Sequence, residues 1–185
     1  MTITNSIKHV VFLLLLCLTT GLHAATQFRV IVDASGSMVI SDPDKLTAES
    51  LRLIANLAPE TETTLGIWLF GETPRVLLPE EPVSDALRKK LSGYVDTYVT
   101  SDLKTDLESI LQMLIDQADT TLDPNIEKHW ILVTDGMVDI SLDNKVNEAS
   151  KSRITGPILS ALIDQKVHLH TVSMTGYTDK ALLET

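Results

Sequence analysis

Two hydrophobic patterns alternate along this chain. Consecutive apolar residues, typical of strands buried on both faces of a sheet, occupy residues 27–33, 64–70, 129–134 and 167–173. Apolar residues at helical spacing occupy residues 43–58, 84–94, 105–117 and 154–163. Strands that alternate with helices are typical of a parallel sheet with helices on both faces. The pattern therefore predicts a doubly wound, mainly parallel α/β sheet in a single domain.

Weaker patterns fill the segments in between. Residues 75–78 lie between Pro74 and Pro79, and they are predicted to form a short edge strand, where proline is tolerated. Residues 119–128 are polar and are predicted to form a surface loop. The polar stretch that follows the third strand, up to about residue 150, is also predicted to be a loop.

The first 24 residues have the pattern of a secretory signal peptide. Lys8 and the amino terminus supply positive charge, residues 10–22 are apolar, and Ala24 ends a small-residue cleavage site. An uncleaved membrane anchor is the weaker alternative, because the apolar run is shorter than the roughly 20 residues that span a bilayer. We expect a mature domain of residues 25–185 that is not inserted in a membrane. Residues 178–185 begin a helix without completing it, so we expect the chain to continue past Thr185.

The charge and the cysteine content of the chain indicate which partners and which cellular compartment to expect. The chain has 15 Lys and Arg against 25 Asp and Glu, a formal net charge of -10. Loss of Lys8 with the signal would leave 14 against 25, which is -11. A strongly acidic protein repels phosphate groups, so nucleic acid and anionic lipid are not expected as partners. Cys17 is the single cysteine and lies in the signal segment. Export without disulfides favours a bacterial periplasmic or secreted protein.

Oxygen-bearing side chains follow two of the predicted strands and begin one of the helices. Asp33, Ser35 and Ser37 come directly after the first strand, and Asp135 follows the third. Thr105 begins the third helix. Because the carboxyl ends of parallel strands meet at one edge of a sheet, we expect these five side chains to converge. Carboxylate and hydroxyl oxygens suit Mg²⁺, with Mn²⁺ or Ca²⁺ as alternatives.

Each part of this set has an alternative interpretation. An aspartate after a strand, such as Asp33, often caps a helix or a turn. Thr105 and Glu108 have the spacing of a capping box, which would explain the threonine without a metal. Thr100 and Ser101 lie close enough to Thr105 to compete for its role as a ligand. Asp139, four residues after Asp135, is either a support for the site or a loop cap.

The order and spacing of these motifs resemble the metal-ion-dependent adhesion site of von Willebrand factor type A domains. The resemblance rests on Asp33-x-Ser35-x-Ser37, on Thr105-Asp106 and on Thr134-Asp135-Gly136. It implies a Rossmann-like fold and a metal ion that bridges to an acidic residue of a partner protein. It also implies that Ser35, Ser37 and Thr105 touch the metal, while Asp33 and Asp135 bind it directly or through water.

Three functions follow from this reading of the sequence. The first is a metal-dependent protein-binding module without enzymatic activity, whose partner is an unidentified protein that offers an acidic residue. The second is a structural subunit of an envelope complex in which the metal only stabilises the domain. The third is a phosphoryl-transfer hydrolase with Asp33 as nucleophile. The third is the least favoured, because such enzymes usually carry an aspartate where this chain has Ser35.

Overall fold

The computed structural model describes residues 25–95, 99–118, 125–136, 138–174 and 182. The predicted signal segment, 1–24, and all of the predicted helix at 178–185 except residue 182 lie outside the described residues. The five strands are β1 Thr26–Asp33, β2 Thr63–Phe70, β3 Arg75–Pro82, β4 Glu127–Thr134 and β5 Val167–Ser173. The described helices are α1 Met38–Ser41, α2 Leu46–Leu57, α3 Asp85–Val95, α4 Leu107–Ala118, α5 Asn144–Arg153 and α6 Leu159–Asp164. A π-helical segment, Ile154–Ile158, joins α5 to α6.

The strands form one sheet in the order β3-β2-β1-β4-β5, and every neighbouring pair is parallel except β2 and β3. This arrangement confirms the predicted doubly wound, mainly parallel α/β fold. The chain leaves β1 toward β2 on one side and later enters β4 on the other side, so the connections diverge at the carboxyl ends of β1 and β4. Open α/β sheets bind ligands at such a switch point.

Two apolar clusters cover the two faces of the sheet. Neighbouring residues of β1 point to opposite faces, with Val30 and Val32 in one cluster and Ile31 in the other. The first cluster packs under α2 and α3, and the second packs under α4 and the π-helical segment. Both faces of β1 are therefore covered, as its continuous apolar sequence predicts. This burial fixes the central strand that carries Asp33 at its end.

The first long helix begins later than its sequence predicts. The predicted helix starts at residue 43, but α2 starts at Leu46, after Lys45 in a left-handed conformation with φ of 54°. The Asp42 carboxylate accepts hydrogen bonds from the backbone N–H groups of Leu46 (2.6 Å) and Thr47 (2.8 Å). Asp42 therefore satisfies the first free amides of α2, and Pro43 lies in the turn before it.

Two further sequence predictions differ from the structure. The predicted loop before residue 150 contains α5, whose first turn is fixed by the Asp143 side chain accepting from the backbone N–H of Lys145 (2.9 Å). The predicted edge strand at 75–78 continues to Pro82, because a strand at the sheet edge tolerates proline and irregular pairing. In the described part of the chain, no helix has the length and apolar character needed to cross a membrane.

Candidate metal centre at the carboxyl edge of the sheet

Asp33 ends β1 and is fully buried, with 0% of its surface exposed. Its Oδ1 accepts a hydrogen bond from the backbone N–H of Ser35 (2.9 Å), and its Oδ2 accepts one from the Thr134 hydroxyl (2.7 Å). The Thr134 Oγ1 in turn accepts from the backbone N–H of Gly136 (2.9 Å). Gly136 has a φ of 81°, a conformation that favours glycine. These bonds join the loop after β1 to the loop after β4.

The charge of Asp33 is poorly compensated. Burial raises the pKa of the Asp33 carboxyl, and the nearby Asp135 raises it further, while hydrogen bonds from Ser35 and Thr134 act in the opposite direction. Among the described residues, no Lys, Arg or His side chain is paired with Asp33. A buried carboxylate held by neutral donors is costly to ionise unless a cation joins it.

The predicted hydroxyl ligands lie around one small cleft beside Asp33. The Ser35 and Ser37 hydroxyl oxygens are 3.0 Å apart. Together with Thr105 and Asp139, both serines line a cleft of about 230 Å³. Ser35 and Thr105 are buried, so the cleft is built into the edge of the sheet. Three residues with hydroxyl oxygens therefore line the same small cleft.

Asp135 lies directly after β4 and is also buried. Its Oδ2 accepts a hydrogen bond from the hydroxyl of Ser41, the last residue of α1 (3.2 Å). Asp135 directly follows Thr134, whose hydroxyl donates to Asp33 Oδ2, so the two aspartates lie at the same edge of the sheet. The fold thus brings all five predicted site residues to one edge of the sheet, although the two aspartates do not line the cleft itself.

The donor set decides which cation the residues fit. No group of three or more His, Cys, Asp or Glu side chains that could hold a metal ion occurs in the part of the chain that the structure describes. The candidate centre depends instead on two carboxylates and three hydroxyls, a set without nitrogen or sulfur. Such oxygen donors fit Mg²⁺, Mn²⁺ or Ca²⁺ better than Zn²⁺.

The structure bears on two of the alternatives to Thr105 as a ligand, the capping box and Thr100. Asp106 caps α4, because its carboxylate accepts from the backbone N–H of Ser109 (3.0 Å) and from the Ser109 hydroxyl (2.6 Å). The side chain of Glu108 pairs with Arg153 instead. The capping-box interpretation of Thr105 is therefore wrong. Thr100, a competing candidate, lines a different cavity.

Two of the neighbouring loops are joined by a short antiparallel bridge. The backbone N–H of Thr105 donates to the carbonyl of Asp139 (2.9 Å), and the N–H of Asp139 donates back (3.3 Å). Asp139 also lines the cleft, so the structure favours its role as a support for the site over that of a loop cap. The bridge holds Thr105 in place from the side of β4.

Asp102 is a site residue that the sequence did not indicate. Its backbone pairs with the loop after β1, donating to the carbonyl of Ala34 (3.2 Å) and accepting from the N–H of Gly36 (2.8 Å). Its side-chain Oδ2 accepts from the Arg75 guanidinium (2.6 Å) and from the N–H of Glu72 (3.0 Å). Asp102 therefore connects the serine loop to the turn between β2 and β3. Its contact with Arg75 spans 27 residues, and no local pattern predicts it.

Gly71 makes room for Asp102. A Cβ atom on Gly71 would lie 2.2 Å from Asp102 Oδ2 and 2.5 Å from Asp102 Cβ, far inside normal contact. A side chain at position 71 would therefore displace Asp102 and the loop that it holds. Gly71 also accepts a hydrogen bond at its carbonyl from the N–H of Asp106 (2.9 Å), at the start of α4.

Comparison with known families identifies the domain. A family model of the von Willebrand factor type A domain matches residues 29–185. The chain belongs to this family. Domains of this family are generally interaction modules rather than enzymes. Among curated proteins, no match to this von Willebrand factor type A chain is found.

Solved structures show the same fold at low sequence identity. A von Willebrand factor type A protein from Catenulispora acidiphila has a TM-score of 0.70 at 17% identity, covering 87% of this chain and 36% of its own. Proximal thread matrix protein 1 from the mussel byssus, with a zinc-occupied MIDAS motif, has a TM-score of 0.62 at 13% identity, covering 87% and 41%. BatB from Bacteroides thetaiotaomicron has a TM-score of 0.56 at 12% identity, covering 80% and 66%. This von Willebrand factor type A chain spans less than two thirds of the length of each.

Proposed function

We propose that this von Willebrand factor type A domain binds a partner protein through a divalent cation. Asp33, Ser35, Ser37, Thr105 and Asp135 would hold the ion, and an acidic residue of the partner would complete its coordination. Mg²⁺ is the ion that we favour, with Mn²⁺ or Ca²⁺ as alternatives. The observation that carries this proposal is the fully buried Asp33 carboxylate, which has neutral hydrogen-bond donors but no cationic partner among the described residues.

The charge balance of the site explains why the partner would be acidic. Two carboxylates and three hydroxyls can neutralise a divalent ion in formal charge, but they leave at least one of the six positions that Mg²⁺ prefers. If water separates one of the aspartates from the ion, the ion keeps part of its positive charge. A carboxylate from outside can then replace a water and bind directly. The mussel protein, which has the same fold, holds a zinc ion in its MIDAS motif, and this supports a divalent ion at the corresponding edge of the sheet.

The cleft supports binding better than phosphoryl transfer. The cleft is lined by two serines, a glycine, a threonine, a leucine and the aspartates Asp102 and Asp139. No described Lys, His or Cys lines it. A hydrolase that used Asp33 as nucleophile would need this carboxylate exposed to substrate, yet Asp33 is fully buried and both its oxygens accept hydrogen bonds.

We place this activity outside the cytoplasm, in a bacterial periplasm or in the medium. This part of the proposal rests on the predicted signal peptide, residues 1–24. Its test is amino-terminal sequencing of the protein recovered from the periplasm, where cleavage would leave Ala25 as the first residue. Recovery of uncleaved protein from the cytoplasm would contradict it.

A metal titration tests the first half of the proposal. We expect MgCl₂ to raise the melting temperature of the wild-type domain relative to EDTA and to bind with a stoichiometry of one by calorimetry. Asp33→Asn should abolish both signals. The matched control is Asp164→Asn, the same change at an exposed position of α6, which should leave them intact. Equal stabilisation of Asp33→Asn and wild type would remove the metal centre from this site.

A capture experiment tests the second half. The immobilised domain is exposed to envelope proteins in Mg²⁺ and in EDTA, with Asp33→Asn and Asp164→Asn alongside. The proposal expects a partner that only the wild type and Asp164→Asn retain, and only in Mg²⁺. If Mg²⁺ stabilises the domain but retention of every bound protein is unchanged by EDTA, the metal has a structural role instead.

A further inference from the structure

The three most exposed large apolar side chains of the described residues lie within three residues, in sequence, of side chains that line the cleft. Leu142 is 108% exposed, Leu103 is 86% exposed and Ile40 is 84% exposed. The next in order, Leu57, is 72% exposed and lies at the end of α2. Single exposed apolar residues are normal on a protein surface, but the three extreme values here occur in segments that carry residues of one cleft.

Each of the three belongs to a segment that also builds the cleft. Ile40 lies in α1, three residues after Ser37, and Leu142 lies three residues after Asp139. Leu103 lines the cleft itself, two residues before Thr105. Because three separate segments contribute, the arrangement is not a by-product of one amphipathic helix. We call these three side chains the apolar rim.

The segments that carry the apolar rim are held by hydrogen bonds. The backbone N–H groups of Ile140 and Ser141, just before Leu142, both donate to Asn147 Oδ1 (3.0 and 3.1 Å). The backbone of Asp102, just before Leu103, pairs with the loop after β1. The hydroxyl of Ser41, just after Ile40, is bonded to Asp135. These hydrogen bonds fix the residues next to the three apolar side chains, which remain exposed to solvent.

We infer that the apolar rim contacts bulky apolar side chains that flank the acidic residue of the partner protein. This inference rests on the proposed metal-bridged function and adds the chemistry of the partner. Apolar contacts around the metal would exclude water from the ion–carboxylate bond, which strengthens that bond. The partner segment would therefore carry one Asp or Glu with Leu, Ile, Val, Met or Phe within a few residues on either side.

The charge of the chain argues for a single acidic residue over an acidic cluster. The formal net charge is -10, and Asp102 and Asp139 both line the cleft. A strongly acidic segment would be repelled as it approached, and only the residue that reaches the ion would gain from it. An apolar segment with one carboxylate avoids this repulsion and covers the rim.

A peptide library provides the test. The probe is a phage-displayed library of seven-residue peptides with a fixed central Asp and random flanks, selected on the immobilised chain in Mg²⁺ and eluted with EDTA. We expect the eluted peptides to be enriched in bulky apolar residues beside the Asp. Enrichment of polar or acidic flanks, or no preference, would overturn the inference.

Variants of the apolar rim make the test specific. Ile40→Ser, Leu103→Ser and Leu142→Ser should each weaken binding of a selected peptide by about tenfold or more. Ile40→Ser and Leu142→Ser, which do not line the cleft, should leave Mg²⁺ affinity unchanged. The matched control is Leu57→Ser, another highly exposed leucine away from the cleft, which should bind like wild type. Unchanged, EDTA-sensitive binding by all three rim variants would refute the rim and keep the metal-bridged function. If EDTA releases no peptide from the wild-type chain, both fail together.

Discussion

The central strand β1 carries two buried charges with opposite surroundings. Arg29 is 5% exposed, and its Nε forms an ion pair with Glu80 Oε2 at 3.0 Å. Its Nη1 donates to the carbonyl of Leu114 (3.1 Å), and its guanidinium lies 5.4 Å from the ring centres of both Trp68 and Trp130. Every favourable partner for a buried guanidinium is therefore supplied by the fold itself.

Asp33, four residues later, has no such compensation. Its hydrogen bonds come from Ser35 and from the Thr134 hydroxyl, which are neutral donors, and the nearby Asp135 adds negative charge. The difference is what we expect if the fold neutralises the charge that belongs to its core and leaves the charge at the sheet edge for a cation from solution, as we propose. Under this proposal, the presence of a charged partner marks Arg29 as a structural charge, and its absence marks Asp33 as a candidate ligand on the same strand.

Arg29 is the buried charge of β1 that has partners in the fold. Its removal should have the largest effect on stability of the changes considered. Arg29→Met leaves the Glu80 carboxylate and the Leu114 carbonyl without their partner, so we expect a loss of about 3 kcal/mol in the free energy of unfolding. Urea denaturation followed by tryptophan fluorescence measures it. The control is the double variant Arg29→Met/Glu80→Gln, which removes both charges but keeps an acceptor for Gln27 Nε2 and Thr64 Oγ1, and it should recover most of the loss. A loss below about 1 kcal/mol in the single variant would show that Arg29 is not a structural charge.

Asp33 is the buried charge of β1 that has no cationic partner among the described residues. Removal of its charge should not lower the unfolding free energy of the metal-free protein. Because burial raises the pKa of the Asp33 carboxyl, ionising it at neutral pH destabilises the folded state without metal. Asp33→Asn removes this charge, so in EDTA we expect unfolding free energy equal to or slightly above wild type. In Mg²⁺ at 100 times its Kd the wild type should gain about 2.7 kcal/mol and the variant nothing. Denaturation in EDTA and in Mg²⁺ measures both.

The comparison breaks if the Asp33 variant is destabilised as strongly as the Arg29 variant in the absence of metal. That outcome would mean that the Asp33 charge stabilises the fold by itself, through the hydrogen bonds to Ser35 and Thr134. Asp33 would then be a turn residue, which is the alternative that its sequence position alone allows.

A substitution at Gly71, next to the site, tests how strongly the fold positions the candidate ligands. In Gly71→Ala the new Cβ would clash with Asp102, which ties the serine loop to the turn after β2. We expect Mg²⁺ affinity to fall about 10- to 100-fold, with a loss of about 1 to 3 kcal/mol in unfolding free energy. Calorimetry and urea denaturation measure the two effects. Gly93→Ala is the matched control, since a Cβ there meets no atom within 4 Å. Wild-type affinity in Gly71→Ala would show that Asp102 does not position the site.

Much of this architecture follows from local sequence. The apolar runs predict all four parallel strands within two residues of their ends, because a strand buried on both faces requires apolar residues throughout. The residues Asp33, Ser35, Ser37, Thr105 and Asp135 were predicted to meet because the carboxyl ends of neighbouring parallel strands must lie at one edge. Their role as metal ligands stays a prediction.

The features that the sequence did not predict depend on contacts between distant residues. Asp102 gains its role from Arg75 and from the backbone of the β1 loop, and neither partner is near it in sequence. Helix α5 lacks a regular apolar stripe, so its periodicity does not distinguish it from a loop. It is fixed by the Asp143 cap and by the pair between Arg153 and Glu108 on α4.

Glu108 and Arg153 form an ion pair near the surface. Its removal should have the smallest effect on the unfolding free energy. The hydrogen bond from Arg153 lowers the pKa of the Glu108 carboxyl below its ordinary value of 4.5, and partial burial opposes this. A carboxyl with a lowered folded-state pKa stabilises the protein above its unfolded pKa, and the benefit is lost as pH falls through the folded value. We expect Glu108→Gln to cost up to about 1 kcal/mol at pH 7. The difference from wild type should shrink as the pH is lowered below the ordinary carboxyl range.

Urea denaturation across that pH range measures this difference, and Glu148→Gln is the control. Glu148 pairs with Lys151 within one turn of the same helix and is more exposed, so its removal should have a smaller effect. A loss in Glu108→Gln that does not change with pH would assign the effect to packing between α4 and α5 rather than to charge. The decrease with pH is the opposite of what metal-free Asp33 should show, because a partner lowers one carboxyl pKa and burial without a cation raises the other. Glu108 therefore tests how a charged partner affects stability, and Asp33 tests how burial without such a partner affects it.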